Sequence, residues 1–130
     1  MKRVYDFLKK VDTYYLATVE GDQPRVRPFG TIDLYNGRLY IQTGKVKKVA
    51  QEMKENPKIE IAAFDGERWI RLSATAVLDE SIAAQEHMLA AYPSLRAMYK
   101  PGDGNTEVYY LENAKAVFCS FTQAPETIEF

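Results

Sequence analysis

Hydrophobic and polar positions alternate along much of this chain with a period of two, and in a few short stretches the period lengthens to that of a helix. Val4, Phe7, Leu8 and Val11 recur at helical spacing in the opening segment. "YYLATVEGDQPRVRPFGTIDLYNGRLYIQT" then reads as three strands, with "EGDQ" as one reversal and Asn36-Gly37 as the next. Asn-Gly takes the positive φ angles of a tight hairpin, so an antiparallel meander is predicted that sets "PRVRPFGTID" beside "RLYIQT". Val46, Val49, Ala50 and Met53 share the apolar face of a helix expected to begin near Lys45 and to end at Asn56-Pro57. "KIEIAAFDGERWIRLSATAVLD" adds a hairpin around Asp65-Gly66, and "ESIAAQEHMLAAYPSLRAMY" is helical with a break at Pro93. "KPGDGN" is a loop, and "EVYYLENAKAVFCSF" closes the chain as a strand or hairpin.

These connections are too short for parallel crossovers. The expected fold class is therefore mainly β (α+β), a closed or nearly closed antiparallel barrel of about six strands with peripheral helices. One domain over residues 1–130 is expected, since 130 residues at 46% apolar composition can enclose a core without metal or disulfide staples. The net charge of -1 provides no basic field for nucleic acid. The single cysteine, Cys119, excludes an internal disulfide and reads as a buried, inert thiol. The amphipathic N-terminus has no long apolar run, so a cytoplasmic protein with no membrane span is expected.

Against that balanced background, the local charge clusters stand out. Lys45, Lys47 and Lys48 crowd the start of the expected helix, where the macrodipole is already positive and N–H groups point outward. Such a start suits an anion. Arg25, Arg27, Phe29 and Thr31 share one strand face, and paired guanidinium forks suit phosphate or carboxylate. On a later strand Ile70, Leu72, Ala74 and Ala76 share one side, while Trp69, Arg71, Ser73 and Thr75 share the other. An outward tryptophan and arginine fit either a partner or ligand, or a tryptophan packed beneath a helix. His87, the sole histidine, reads as solvated or partly packed rather than as a general base, and no metal-ligand spacing is present.

The order "YYLATVEGDQPRVRPFG", "GRLYIQTGKVKKVAQEMKENPKIEI", "RWIRLSATAVLD" resembles the pyridoxamine 5'-phosphate oxidase-like family of split β-barrels that bind flavin mononucleotide (FMN). The resemblance implies a flavin phosphate beside Thr43, Lys47 and Lys48. It places Arg25, Arg27, Pro28 and Phe29 along the ribityl chain and ring edge, with Gln42 on the neighbouring strand. Trp69 falls where the family has a residue near the isoalloxazine at a two-fold dimer interface, with Arg71 beside it. An FMN-dependent oxidoreductase acting on a small-molecule substrate is implied, with the chemistry carried by the flavin and no catalytic side chain. Two departures separate the chain from the vitamin B6 oxidases. Gly30 stands where they carry a lysine, and the chain ends in "TQAPETIEF" rather than in a basic segment. The likeness is closer to the small flavin reductase-like members, including the nitroimidazole-resistance group. A non-catalytic barrel that binds flavin, the deazaflavin F420 or haem is the alternative.

Overall fold

The computed structural model describes residues 1–130. In chain order the elements are α1 (Lys2–Val11), β1 (Tyr14–Glu20), β2 (Gln23–Phe29), β3 (Asp33–Tyr35), β4 (Arg38–Gly44), α2 (Lys48–Glu55), β5 (Lys58–Phe64), β6 (Arg68–Asp79), α3 (Ile82–Ala91), a short 3-10 helix (Pro93–Ala97), β7 (Thr106–Ser120) and β8 (Glu126–Glu129). All neighbouring strands are antiparallel, in the order β2-β1-β5-β6-β7-β4-β3, with β8 pairing β7 as well. This is an antiparallel split β-barrel with peripheral helices.

The sheet has eight strands, more than the six or so read from the pattern. One of the additions comes from the segment between Gln23 and Tyr35, which divides at Gly30–Ile32 into β2 and β3. The expected meander does not form. Only Asp33–Tyr35 pairs with β4, across the Asn36-Gly37 turn whose residues have φ of 52° and 73°, while β2 pairs with β1 alone. The fifteen-residue β7 does the long-range work, pairing β4 with its first third and β6 along almost its whole length. Its bend is local. Between the pairs Ser73–Lys115 and Thr75–Glu112, β7 carries one extra residue, Asn113 has φ of 51°, and the sheet can coil there. The bulged backbone at Ala114 is satisfied by Phe130, whose carbonyl accepts from the Ala114 N–H at 2.7 Å and whose N–H donates to the Ala114 carbonyl at 2.9 Å.

Alternation fills the interior as the pattern predicts. Ile70, Leu72, Ala74 and Ala76 are buried with Leu16, Ile41, Ile61, Tyr109 and Ala116, and Val4, Phe7 and Leu8 of α1 close one side. Helix α2 starts at Lys48, three residues later than expected, and Lys45 lies outside it in the preceding turn. Val46 therefore misses the apolar face and is 79% exposed, whereas Val49, Ala50 and Met53 are buried. Glu52, on the same face, is buried with them. No helix is long and apolar enough to cross a membrane.

Candidate functional site

The connector Gly30–Ile32 lies outside the strand ladders, so its backbone groups need other partners. Side-chain hydroxyls supply them. Thr31 Oγ1 accepts from the Gln42 N–H at 3.0 Å and donates to the Gln42 carbonyl at 3.4 Å, copying a strand pair with β4. The Tyr14 hydroxyl donates to the Thr31 carbonyl. The Tyr92 hydroxyl accepts from the Ile32 N–H and donates to the Ile32 carbonyl, each at 3.0 Å. The end of β2 is thus held against the end of β4, although the two strands share no ladder.

Between them lies a cleft of about 220 Å³. Arg27, Pro28 and Phe29 from β2, Gln42 and Thr43 from β4, and Lys47 at the α2 start line it. Arg27 is anchored. Its guanidinium donates to Thr18 Oγ1 at 2.8 Å, to the Leu16 carbonyl at 3.3 Å and to Glu52 Oε1 at 2.7 Å. Glu52 also accepts from the Thr18 hydroxyl at 2.6 Å. That hydroxyl and the guanidinium hold its carboxyl below its ordinary value, against the opposing effect of desolvation. The positive charge of Arg27 is therefore largely compensated from beneath.

Lys47 is different. It is exposed and has no acidic partner, and as N-cap of α2 it makes no side-chain cap bond. Helix α3, by contrast, is capped by Ser81 Oγ, which accepts from Ala84 N at 3.2 Å. An uncapped first turn beside a free ammonium and the Thr43 side chain is a donor set suited to a phosphate-sized anion. Pro28 and Phe29 give the other wall apolar surface on which a ring can lie.

The remaining expected residues fall outside this lining. Arg25 and Lys48 converge on Glu20 beside the cleft, with Arg25 Nη2 at 2.9 Å from Oε1 and Lys48 Nζ at 3.1 Å from Oε2. Trp69 and Arg71 stand on the outer face of β6, three strands from β2 and so roughly 14 Å away at ordinary strand spacing. Trp69 packs on Phe121 with ring centroids 5.0 Å apart, and Arg71 pairs with Glu60 at 3.3 Å. Neither reaches the cleft of its own chain. Cys119 pairs across the ladder from Trp69 and is partly exposed, so the expectation of a buried thiol is corrected: its side chain falls on the outer side of the alternation.

The anions and hydroxyls that organise the site were not among the expected residues. A carboxylate at Glu52 within a stripe of Val49, Ala50 and Met53 is the one local signal that could have flagged a buried ion pair. Thr18, Glu20 and Tyr92 carry no such signal, and Thr31 is placed only by its strand face. His87 Nδ1 lies 2.6 Å from the buried Asp33 Oδ2 and its ring stacks on Tyr35 at 4.4 Å. It does not line the cleft.

Comparison with known proteins shows the family to which the chain belongs. Residues 1–119 match the family model described as pyridoxamine 5'-phosphate oxidase. The chain belongs to that family. Among solved structures, it is similar to a NimC/NimA family protein from Clostridium acetobutylicum, at 43% identity and a TM-score of 0.96, covering 100% of this chain and 92% of the other. General Stress Protein 26 from Bacillus anthracis shares the fold at 17% identity and a TM-score of 0.73, covering 98% and 99% of the two chains. A haem binding protein from Mycobacterium smegmatis shares it at 13% identity and a TM-score of 0.68, covering 96% of this chain and 57% of the other. No curated protein matches. Gly30, one of the two departures from the vitamin B6 oxidases expected from the sequence, lies in the cleft wall.

Proposed function

We propose that this protein is an FMN-dependent oxidoreductase that reduces a small aromatic or quinone-like acceptor, working as a homodimer with a flavin at each of two equivalent interface sites. The observation that carries the reading is the convergence of Arg27, Pro28, Phe29, Gln42, Thr43 and Lys47 on one cleft at an uncapped helix start. When bound, FMN supplies hydride and electron transfer. Every other task belongs to the chain. Lys47 and the first turn of α2 hold the phosphate, and Thr43 offers a hydroxyl beside it. Gln42, whose side-chain amide donates to the Thr43 carbonyl and Thr106 Oγ1, each at 3.2 Å, keeps that strand end rigid. Arg27, held in place by Glu52 and Thr18, would form the fixed cleft wall beside the bound group.

Support for the dimer comes from size and surface. At about 220 Å³ the cleft falls below the usual 300–1,000 Å³ of small-molecule sites, so one chain offers only part of an enclosure. The outer sheet face carries exposed Tyr15, Val26, Phe64 and Phe121 together with the partly exposed Trp69. An apolar face of this kind is covered most economically by a second copy under two-fold symmetry. Pro28 pairs with Tyr15 and also lines the cleft, so this face adjoins the flavin site. Trp69 and Arg71 then serve the partner's flavin rather than their own.

Haem is the poorer fit. Its iron takes His, Cys, Met or Tyr as axial ligand, none of these lines the cleft, and the sole imidazole is committed to Asp33. The test is stopped-flow reduction of the FMN-loaded protein. NADH or NADPH should bleach the flavin bands faster than it bleaches free FMN, and a small quinone or nitroaromatic should restore them. Bleaching no faster than that of free FMN rejects the reductase reading.

A further inference from the structure

We infer that Glu20 is a built-in counter-anion, which competes with a ligand's phosphate for Lys48 and Arg25 and so sets how readily the site exchanges its ligand. The inference rests on the phosphate placement proposed above. Its observation is separate from the cleft lining. Glu20 ends β1, and the Gly21 turn, with φ of 64°, brings β2 back so that Arg25 lies opposite Thr18. Both Arg25 Nε and Nη2 reach Glu20 Oε1, at 3.0 and 2.9 Å, and Lys48 Nζ reaches Oε2 at 3.1 Å. One carboxylate therefore draws in Lys48 of the helix start and Arg25 of β2, and leaves Lys47 without an acidic partner.

This pairing differs in kind from that of Arg27 with Glu52. Glu52 is buried, shares its oxygen with Thr18, and holds a guanidinium only 24% exposed. That bond is structural. Glu20 is 33% exposed, with Lys48 at 75% and Arg25 at 50%, so its ion pairs are solvated, screened and weak. Lys48, with Arg25 second, keeps the Glu20 carboxyl below its ordinary value, so the competitor is charged throughout the neutral range. A phosphate carries more charge and three acceptor oxygens, and it can displace a carboxylate from these two cations. Its binding then brings a loss as well as a gain, because the released carboxylate stays close by and repels it. Arg25 and Lys48 thus contribute less to affinity than their charge suggests.

The test compares wild type with Glu20→Gln, which keeps the shape and removes the charge, and with Glu20→Asp, which keeps the charge. Fluorescence titration should find FMN bound about three- to tenfold more tightly by Glu20→Gln at low ionic strength, as expected for release of two exposed ion pairs. Riboflavin affinity should be the same in all three proteins, Glu20→Asp should resemble wild type, and the gain should shrink as salt is added. In parallel, inorganic phosphate is titrated against each protein and followed by the amide NMR shifts of Gly21, Arg25 and Lys48. Glu20→Gln should bind phosphate more tightly than wild type there whether or not flavin binds. If FMN fails to bind while this phosphate difference holds, the flavin reading falls and the counter-anion role stands. If Glu20→Gln leaves phosphate affinity unchanged or weaker, the inference is overturned, whatever flavin does.

Discussion

Arg27 and Glu52 meet at 2.7 Å, and this pair joins β2, the edge strand of the cleft, to α2, the helix whose start faces it. Thr18 bonds to both partners, at 2.8 Å from Arg27 and 2.6 Å from Glu52, so three elements are locked through one buried oxygen. Removing Glu52 leaves a guanidinium with an unmet charge against a buried hydroxyl. Glu52→Ala should cost about 2 kcal/mol, less than a fully buried pair because part of Arg27 reaches solvent. Urea unfolding at neutral pH measures it.

The same pair gives an acid limb with a definite sign. The folded carboxyl of Glu52 lies below its ordinary value of 4.5, so in the window beneath that value the unfolded chain binds more protons and stability rises with pH. The contribution is present above about pH 4.5 and is lost as pH falls through the lowered folded value. Glu52→Gln has no proton to gain there. Its stability should fall less steeply than that of wild type as the pH drops below 4.5, as read from urea midpoints. Parallel acid limbs would contradict the coupling.

Gly44 ends β4 just before the lysine turn, and a Cβ placed there would lie 2.9 Å from the Tyr99 hydroxyl and 3.4 Å from Asn105 Oδ1. Tyr99 is buried, so its rigid ring has little room to retreat. Gly44→Ala should destabilise by about 1–3 kcal/mol through overpacking. Pairing it with Tyr99→Phe, which removes the clashing oxygen, should recover most of that loss in thermal melts. A double variant no better than the single one would point to backbone conformation rather than side-chain clash.

A charge on the outer face tests the proposed dimer. Trp69→Glu would set an unpaired carboxylate at the centre of an apolar contact and should weaken association by about 2 kcal/mol or more. Sedimentation should then find monomer at micromolar concentration, with FMN affinity lowered in step. A variant that remains dimeric with full FMN affinity would remove Trp69 from the interface.

Much of this architecture is legible in local pattern. Alternation correctly assigned Ile70, Leu72, Ala74 and Ala76 to the interior, and Asn36-Gly37 and Asp65-Gly66 mark real hairpins. The helix starts later than the pattern predicts because Val46 and Val49, three apart, show a helical spacing that a turn can also produce. Pairing partners were harder. Whether β2 meets β4 depends on the connector Gly30–Ile32, whose bonds run to Tyr14, Gln42 and Tyr92 far along the chain. Six of the ten residues named for the cofactor nevertheless line one cleft, because β2, β4 and the α2 start are held together there. Arg25 and Lys48 do not line it and pair with Glu20 instead, which no local pattern announces.

The central claim is that the cleft beside Lys47 holds the phosphate end of FMN. Flavin fluorescence quenching, titrated with FMN and with riboflavin against wild type and Lys47→Ala, tests it most directly. The account predicts that wild type binds FMN about tenfold or more tightly than riboflavin, and that Lys47→Ala loses about 1.5 kcal/mol for FMN alone, the scale of one charge-assisted hydrogen bond. Equal affinity of wild type for FMN and riboflavin, or an equal loss for both in Lys47→Ala, would contradict it.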